Sequence, residues 1–251
     1  MGSPFDLHGR VALVTGGATG IGQAIAVGLA ETGADLVLTS ERDNLDETVG
    51  RVSALGRSAD CRRLDLSRGD DIPEVVGDVL TSHRIDILVN AAGIIRRQPA
   101  LEFSDENWRE VLEVNLTAAF TLSRHVAAPM LVRGSGKIIN IASMLSFQGG
   151  HLVTSYTASK HGLVGLTKAF ANECAPRNVQ VNALAPGYIA TRTTEALRAD
   201  PERSAEILAR IPAGRWGTPR DISGAAVFLA SHASDYVSGH VLAVDGGWMA
   251  R

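Results

Sequence analysis

The stretch VALVTGGATGIG, residues 11–22, decides the fold of this chain. Val11–Thr15 is a short apolar run typical of a buried strand, four glycines follow within residues 16–22, and residues 23–32 have helical character. Glycines let the backbone turn sharply and approach a pyrophosphate, while the amino terminus of the next helix offers free N–H groups. A glycine-rich turn alone can be only a tight turn, but its place between strand and helix predicts a dinucleotide site.

Six further apolar runs alternate with helical segments over the rest of the chain. Most are nearly continuous in Val, Ile, Leu and Ala, which is typical of parallel strands covered on both faces. The candidate strands are Val11–Thr15, Asp35–Thr39, Cys61–Leu64, Asp86–Val89, Gly136–Ile141, Val179–Leu184 and Val241–Val244. This alternation predicts an α/β fold: one doubly wound, Rossmann-like domain spanning residues 1–251. Asp200-Pro201 and Thr218-Pro219 signal helix starts, and an inserted helical pair near 190–215 is expected over the mouth of the sheet.

Composition narrows the class of protein. The chain has 251 residues, a formal net charge of −3 and no run of like charge, so bulk electrostatics favours neither nucleic acid nor an anionic membrane as partner. Two distant cysteines argue against a disulfide framework, and no histidines are spaced as metal ligands. With no signal peptide and no apolar run of the ~20 residues that a membrane span needs, we expect a cytoplasmic protein without a metal.

The ends of the early strands supply further cofactor candidates. Glu41 follows the second strand, where a carboxylate can bind the ribose hydroxyls and repel a 2′-phosphate, although the adjacent Arg42 could bind that phosphate instead. NAD is therefore favoured over NADP. The other candidates from this half of the chain are the glycine-turn residues Gly16, Thr19, Gly20, Ile21 and Gly22, then Asp65 and Leu66 after the third strand, and Asn90, Ala91 and Gly93 after the fourth.

Four polar residues further along the chain are candidates for the catalytic groups. Tyr156 and Lys160 lie four apart on one face of a predicted helix, and Ser143 follows the fifth strand, whose carboxyl end should face the ligand crevice. Interconverting an alcohol and a ketone moves a hydride and a proton, so the protein must handle the proton. A nearby ammonium is expected to lower the pKa of the Tyr156 phenol toward neutrality. Ser143 could stabilise the substrate oxygen, and Asn115 could hold a water that relays the proton from Lys160.

These motifs occur together in the order of a known family. Thr-Gly-x-x-x-Gly-Ile-Gly, Asn-Ala-Ala-Gly from Asn90, Asn115, Ser143, Tyr156-x-x-x-Lys160 and Pro186-Gly187 resemble the short-chain dehydrogenase/reductase family over essentially the whole chain. The resemblance implies a seven-stranded parallel sheet, an Asn-Ser-Tyr-Lys tetrad, a homotetramer, and a substrate lid near 190–215. It also implies cofactor contacts from Pro186, Gly187, Ile189 and Thr191. Small residues on the Tyr156 helix, such as Gly162 and Gly165, would suit a subunit contact, but intrachain packing explains them equally well.

A narrower resemblance concerns loop and lid sequence. The segments 92–97, 142–150, 203–217 and 245–248 are similar to members of the family that act on 2-deoxy-D-gluconate or 2-dehydro-3-deoxy-D-gluconate. A sugar acid carries a carboxylate, and a guanidinium suits it. The tentative substrate residues are Arg96, Arg97, Ser143, Gln148, Tyr156 and Arg192.

Three alternatives stay open. The protein could be a gluconate 5-dehydrogenase, or a 3-oxoacyl thioester reductase of the same family, which would prefer NADPH and a basic ribose pocket. In another class, it could be a dinucleotide-binding sensor without turnover. The intact set Asn115, Ser143, Tyr156 and Lys160 argues against the sensor, and Glu41 argues mildly against the thioester reductase.

Overall fold

All seven strands join one parallel sheet in the computed structural model, which describes residues 2–42 and 44–251. The order across the sheet is β3-β2-β1-β4-β5-β6-β7. Successive strands are therefore added outward from β1 to one edge and then outward from β4 to the other, while β1 and β4 are parallel neighbours. The strands are β1 Val11–Thr15, β2 Asp35–Ser40, β3 Ala59–Arg63, β4 Ile87–Asn90, β5 Gly136–Ile141, β6 Val179–Pro186 and β7 Val241–Val244. The predicted seven-stranded α/β sheet is therefore confirmed.

Helices cover both faces of the sheet. They are α1 Gly20–Glu31, α2 Asp46–Ala54, α3 Ile72–Ser82, α4 Asp105–Leu112, α5 Ala118–Arg133, α6 Thr154–Cys174, α7 Glu195–Ala199, α8 Pro201–Arg210 and α9 Pro219–Ala230. One apolar core joins α1 and α9 to the sheet, and a second joins α3, α5 and part of α6 to the opposite face. This double layer explains why the inner strands are almost wholly apolar, since both faces are buried. None of the helices in the described part of the chain is long and apolar enough to cross a membrane.

Local signals set the helices of the 190–215 segment. Asp200 caps α8 by accepting a hydrogen bond from the backbone N–H of Arg203 at 3.0 Å, and Pro201 is its first residue. A turn at Arg192–Thr194 and the short helix α7 precede it. Thr218 and Asp221 form a capping box at the start of α9.

The helical segment before β5 is divided in two. The segment before β5 is not a continuous α-helix, because a π-helical turn at Glu113–Thr117 separates α4 from α5. Asn115 lies in this turn and is buried. An inserted residue widens a helix locally and re-aims the side chains there, and such turns occur frequently at functional sites.

Candidate active site

The glycine turn is locked to the neighbouring strand end. Thr15 Oγ1 accepts hydrogen bonds from the backbone N–H groups of Ala91 and Ala92 at 3.1 and 3.2 Å. Gly16 has φ +66°, and a Cβ placed on it would lie 2.9 Å from Ala92 Cα. A residue with a side chain would therefore be strained and would push β4 away. The sequence assigned Gly16 to cofactor binding; the structure adds that it closes the junction between β1 and β4.

The start of α1 fits a pyrophosphate. Gly20 has φ +61°, and a Cβ on it would lie 3.6 Å from Thr191 Cγ2, so the glycine turn and the segment after β6 face each other. Within the described residues, Thr19 makes no side-chain capping bond and the first turn of α1 has no acidic residue. The N–H groups and dipole of this turn therefore remain available to an anion. Ile21 and Gly22 continue the same turn, and the donor set suits a dinucleotide.

The ribose edge contains one basic residue that the sequence reading missed. Glu41 and Arg42 are both exposed at the end of β2, as expected. Arg63, the last residue of β3, donates through Nε to the Glu41 carbonyl at 3.2 Å. Parallel pairing of β2 with β3 brings Arg63 here. Its only sequence signal was its place at a strand end. Among the residues that the structure describes here, Glu41 supplies a carboxylate, and Arg42 and Arg63 supply guanidinium groups.

The remaining cofactor candidates lie at strand ends but differ in orientation. Asp65 caps its own turn, because Oδ1 accepts from the Ser67 N–H at 2.9 Å and from its hydroxyl at 2.7 Å; Leu66 beside it is buried. The Asn90 side chain points into the interior, where Nδ2 donates to Asn140 Oδ1 at 2.8 Å. Its amide nitrogen is thus engaged within the protein. Ala91 and Gly93 follow it directly after β4.

After β6, Pro186 ends the strand and Gly187 packs against the backbone of Asp245, where a Cβ would lie 2.6 Å from Asp245 Cα. Ile189 is buried, at 4% exposure, so its side chain belongs to the core. Thr191 is half-buried and faces Gly20. Of these residues, Thr191 lies directly beside the glycine turn.

Ser143, Tyr156 and Lys160 come together at the carboxyl edge. Ser143 precedes a 3-10 turn after β5, and its hydroxyl accepts from the Leu145 N–H at 3.1 Å. Ser143 lies close enough to Tyr156 to lower the pKa of the phenol. The Lys160 ammonium lies 5.6 Å from the centre of the Tyr156 ring and donates to the Ile141 carbonyl at 2.6 Å. The i, i+4 spacing on α6 thus places phenol and ammonium side by side, as the sequence predicts.

The charge state of Tyr156 differs from the expectation. Burial raises the pKa of Tyr156, while the Ser143 hydrogen bond and the positive charge of Arg97 lower it. Burial also lowers the pKa of Lys160 to about 8. The raised pKa of Tyr156 is opposite in direction to the predicted lowering, because burial of the phenol outweighs the contributions that favour the phenolate. Arg97 is the cation that favours the phenolate.

Asn115 is held on both sides of its amide. Its Oδ1 accepts from the Ile94 N–H at 2.8 Å, and its Nδ2 donates to the Ile94 carbonyl at 2.9 Å and to Ser159 Oγ at 3.2 Å. A Cβ on Gly93 would lie 3.7 Å from Lys160 Nζ. Asn115 therefore fixes the Gly93–Ile94 segment beside the ammonium.

The candidate substrate residues differ in whether other protein groups already bind their side chains. Arg96 forms a two-point ion pair with Glu110 of α4, at 2.7 and 2.9 Å, and is not free for a carboxylate. Arg97 donates to the Thr193 carbonyl at 3.3 Å, and its positive charge favours a lower pKa of Tyr156. Arg192 is exposed. Gln148 accepts from the Trp248 indole N–H at 2.9 Å, so it supports the wall of the site.

An aromatic cluster that sequence reasoning missed holds the lid. Tyr188 packs edge-to-face on Trp216 and Trp248, with ring centres 5.4 and 4.8 Å apart. Arg210, at the end of α8, lies over the Trp248 ring at 4.0 Å. These residues come from four separate segments, and no periodic pattern relates them. The cluster packs the end of α8 against the segments that follow β6 and β7.

Comparison with known proteins shows similarity over the full chain. The family model described as enoyl-(acyl carrier protein) reductase matches residues 16–249. A 2-dehydro-3-deoxy-D-gluconate 5-dehydrogenase of Bacillus subtilis is 56% identical over 247 residues, covering 98% of this chain and 97% of that protein.

Two solved structures are similar to the same extent. One, from Beutenbergia cavernae, is a candidate NAD(P)-dependent gluconate 5-dehydrogenase with NADP at low occupancy; it has a TM-score of 0.97 at 55% identity and covers 99% of this chain and 100% of that one. The other, from Agrobacterium tumefaciens, is a candidate 2-deoxy-D-gluconate 3-dehydrogenase with bound NADP; its TM-score is 0.94 at 54% identity, with both chains fully covered. The similarity thus includes the sheet, the glycine turn and the lid.

Proposed function

The chain belongs to the short-chain dehydrogenase/reductase family, and we propose that it transfers a hydride between NAD(H) and a secondary alcohol or ketone of an aldonate-type sugar acid. The substrate is 2-dehydro-3-deoxy-D-gluconate or 2-deoxy-D-gluconate, in line with the names of its relatives. The observation that carries this proposal is the meeting of Ser143, Tyr156 and Lys160 with the exposed guanidinium of Arg97 at one edge of the sheet.

The bound nicotinamide accepts or supplies the hydride. In the oxidative direction Tyr156 takes the proton from the substrate hydroxyl, and in the reductive direction it returns the proton. The Ser143 hydroxyl orients the substrate oxygen and stabilises charge that develops on it. Lys160, with a pKa of about 8, accepts and releases the proton near neutral pH. Asn115 holds the Gly93–Ile94 backbone that borders this path; the predicted water relay at Asn115 remains part of the proposal.

Arg97 is the proposed receptor of the substrate carboxylate. It is exposed and donates to the Thr193 carbonyl, and among the described residues no carboxylate forms an ion pair with it, whereas Arg96 is paired with Glu110. Arg97→Gln should raise KM for the sugar acid about 10- to 100-fold, the cost of a charge-assisted hydrogen bond. Arg96→Gln is the matched control and should affect KM much less. A rise in KM with Arg192→Gln instead would move the carboxylate to Arg192.

NAD is the proposed preferred cofactor, because the Glu41 carboxylate repels a 2′-phosphate. The NADP in the two solved relatives makes Arg42 and Arg63 the residues to test. Glu41→Gln should improve turnover with NADP relative to NAD. If the wild-type protein works only with NADP, then Arg42 and Arg63 bind the phosphate and the Glu41 argument fails.

We also propose a cytoplasmic homotetramer. Intrachain packing explains Gly162, where a Cβ would lie 2.8 Å from Leu116, but Gly165 on the same helix faces open space. Phe120, which packs edge-to-face on Phe170, is 38% exposed nearby. Light scattering should give four chains per particle, and Gly165→Glu should reduce that mass.

The deciding experiment follows reduced nicotinamide in two formats. Its formation is measured with gluconate, 2-deoxygluconate and 2-dehydro-3-deoxygluconate, each with NAD and NADP, and its consumption is measured with a 3-oxoacyl thioester and NADH or NADPH. Turnover of a deoxygluconate with NAD supports the proposal. Turnover of gluconate alone would favour the 5-dehydrogenase alternative, which the name of the Beutenbergia relative suggests. Activity on the 3-oxoacyl thioester would overturn the sugar-acid assignment. Cofactor binding without any turnover would favour a sensor.

A further inference from the structure

Ser146 connects two catalytic residues through one buried hydroxyl. It ends the 3-10 turn Met144–Ser146 and is 5% exposed. Its Oγ donates to the Lys160 carbonyl at 2.8 Å and accepts from the Ser143 N–H at 3.3 Å. The first bond crosses from the loop after β5 to the middle of α6.

A second hydrogen bond attaches the same loop to Lys160, and we call the two bonds together the Lys160 bracket. The Lys160 ammonium donates to the Ile141 carbonyl at 2.6 Å, two residues before Ser143. The backbone from Ile141 to Ser146 is therefore attached to Lys160 at both ends, once through the lysine side chain and once through its carbonyl. Beyond Ser146 the loop is open, since Phe147 is 49% and Leu152 is 37% exposed.

We propose that Ser146 is a positioning residue, which holds Ser143 beside Tyr156 through its bonds to the Ser143 N–H and the Lys160 carbonyl. Ser143 belongs to a loop and Tyr156 to α6, so their contact depends on how firmly these two elements are joined. A hydrogen bond weakens steeply when its distance or angle departs from the optimum. This inference rests on the proposed catalytic roles of Ser143 and Tyr156, but not on the identity of the sugar acid.

Replacing Ser146 by alanine removes both of its side-chain bonds and loosens the bracket at one end. Since the Ser143 contact lowers the pKa of Tyr156, its weakening should raise that pKa. The other charged groups near the phenol, Lys160 on α6 and Arg97 after β4, are unchanged by this substitution. A shift in the pH profile would therefore report on Ser143.

The test compares Ser146→Ala with Ser234→Ala. Ser234 is a fully buried hydroxyl that donates to the Leu229 carbonyl at 3.0 Å and accepts from Lys137, at the opposite edge of the sheet. Both variants lose buried hydrogen bonds and should lose similar stability. Ser146→Ala alone should lower kcat about 3- to 10-fold, change KM less than about twofold, and move the alkaline inflection of kcat upward by about 0.5 to 1 pH unit.

A double-mutant cycle separates positioning from general stabilisation. If Ser146 acts through Ser143, then adding Ser146→Ala to Ser143→Ala should cause no further loss of kcat. An equal further loss in that background, or a wild-type inflection in Ser146→Ala, would overturn the proposal. Should Ser146→Ala fail to fold, Ser146→Cys, a weak donor of similar size, should give a smaller shift in the same direction, and an unshifted profile there would also overturn it.

A titration of tyrosinate absorbance distinguishes failure of this inference from failure of the proposed substrate. The chain has three tyrosines, so subtracting the curve of Tyr156→Phe isolates Tyr156. The Tyr156 curve should move to higher pH in Ser146→Ala and stay unmoved in Ser234→Ala. If the wild-type protein turns over none of the sugar acids, this curve still decides the role of Ser146.

Discussion

Asn115→Ala should damage stability and turnover together, because the side chain restrains a segment next to Lys160. The substitution removes three hydrogen bonds, at 2.8 and 2.9 Å to the Ile94 backbone and at 3.2 Å to Ser159. Asn115 is 2% exposed, so water cannot replace these bonds without opening the structure. The Ile94 N–H and carbonyl then both lose their protein partner.

Each buried polar group left without a partner costs about 1 to 3 kcal/mol. Ile94 is half-buried and can recover part of this from solvent, so we expect a loss of about 3 kcal/mol in the free energy of unfolding. For a domain of this size that lowers Tm by roughly 6 to 12 °C. Displacement of Gly93 near Lys160 should lower kcat by up to about 100-fold.

Thermal unfolding and steady-state kinetics check both numbers on the same preparation. Asn107→Ala, on the adjacent helix α4, is the matched control: its amide makes one side-chain bond, to Gln98 at 2.9 Å. That variant should lose about 1 kcal/mol and keep its kcat. If Asn115→Ala loses no more stability than Asn107→Ala and keeps kcat, then Asn115 does not restrain the Gly93–Ile94 segment as described.

Three further predictions address the site. Tyr156→Phe should lower kcat at least about 1000-fold, as expected for loss of the acid/base group, while cofactor affinity measured by fluorescence stays nearly unchanged; full activity would refute the assignment. Burial holds the pKa of Lys160 at about 8, below the value of 10.5 for the unfolded chain. Between these pH values the unfolded state binds more protons than the folded state, so the contribution of Lys160 to the free energy of unfolding rises with pH. Urea unfolding should show the wild type gaining stability relative to Lys160→Met from about pH 8 to 10.5, and a pH-independent difference would contradict the buried ammonium. Gly16→Ala should lose about 1 to 3 kcal/mol of stability through backbone strain, and weaken cofactor binding; an unchanged Tm would show that the Ala92 contact relaxes freely.

The sheet could be predicted because its central strands are apolar on both faces. The bounds of β1, β5 and β7 match the predicted ranges, whereas β3 begins at Ala59 rather than Cys61. β3 is an edge strand with the sequence ADCRR, whose polar residues conceal its start. The helix before β5 was missed in its detail, since nothing periodic marks the π-helical turn at Glu113–Thr117.

The site could be predicted in its membership but not in its pairings. Arg96 and Arg97 are indistinguishable in sequence, and only the packing of α4 brings Glu110 to Arg96. The direction of the Lys160 ammonium depends on a carbonyl nineteen residues away in the chain, at Ile141. Such contacts join separate elements, whereas sequence patterns report mainly on neighbours within one element.

The segment Ala92–Ile94 is pinned on one side by Thr15 and Gly16 and on the other by Asn115. It therefore acts as a rigid spacer between the glycine turn and the acid/base pair. One consequence concerns how this enzyme can evolve. A substitution in the glycine turn that alters cofactor affinity should also displace this spacer, and the displacement should reach Lys160. The effect of that substitution on kcat should therefore depend on the residue at position 115. Cofactor preference and catalytic rate should consequently show epistasis across this short stretch, while the exposed lid residues remain free to vary with the substrate.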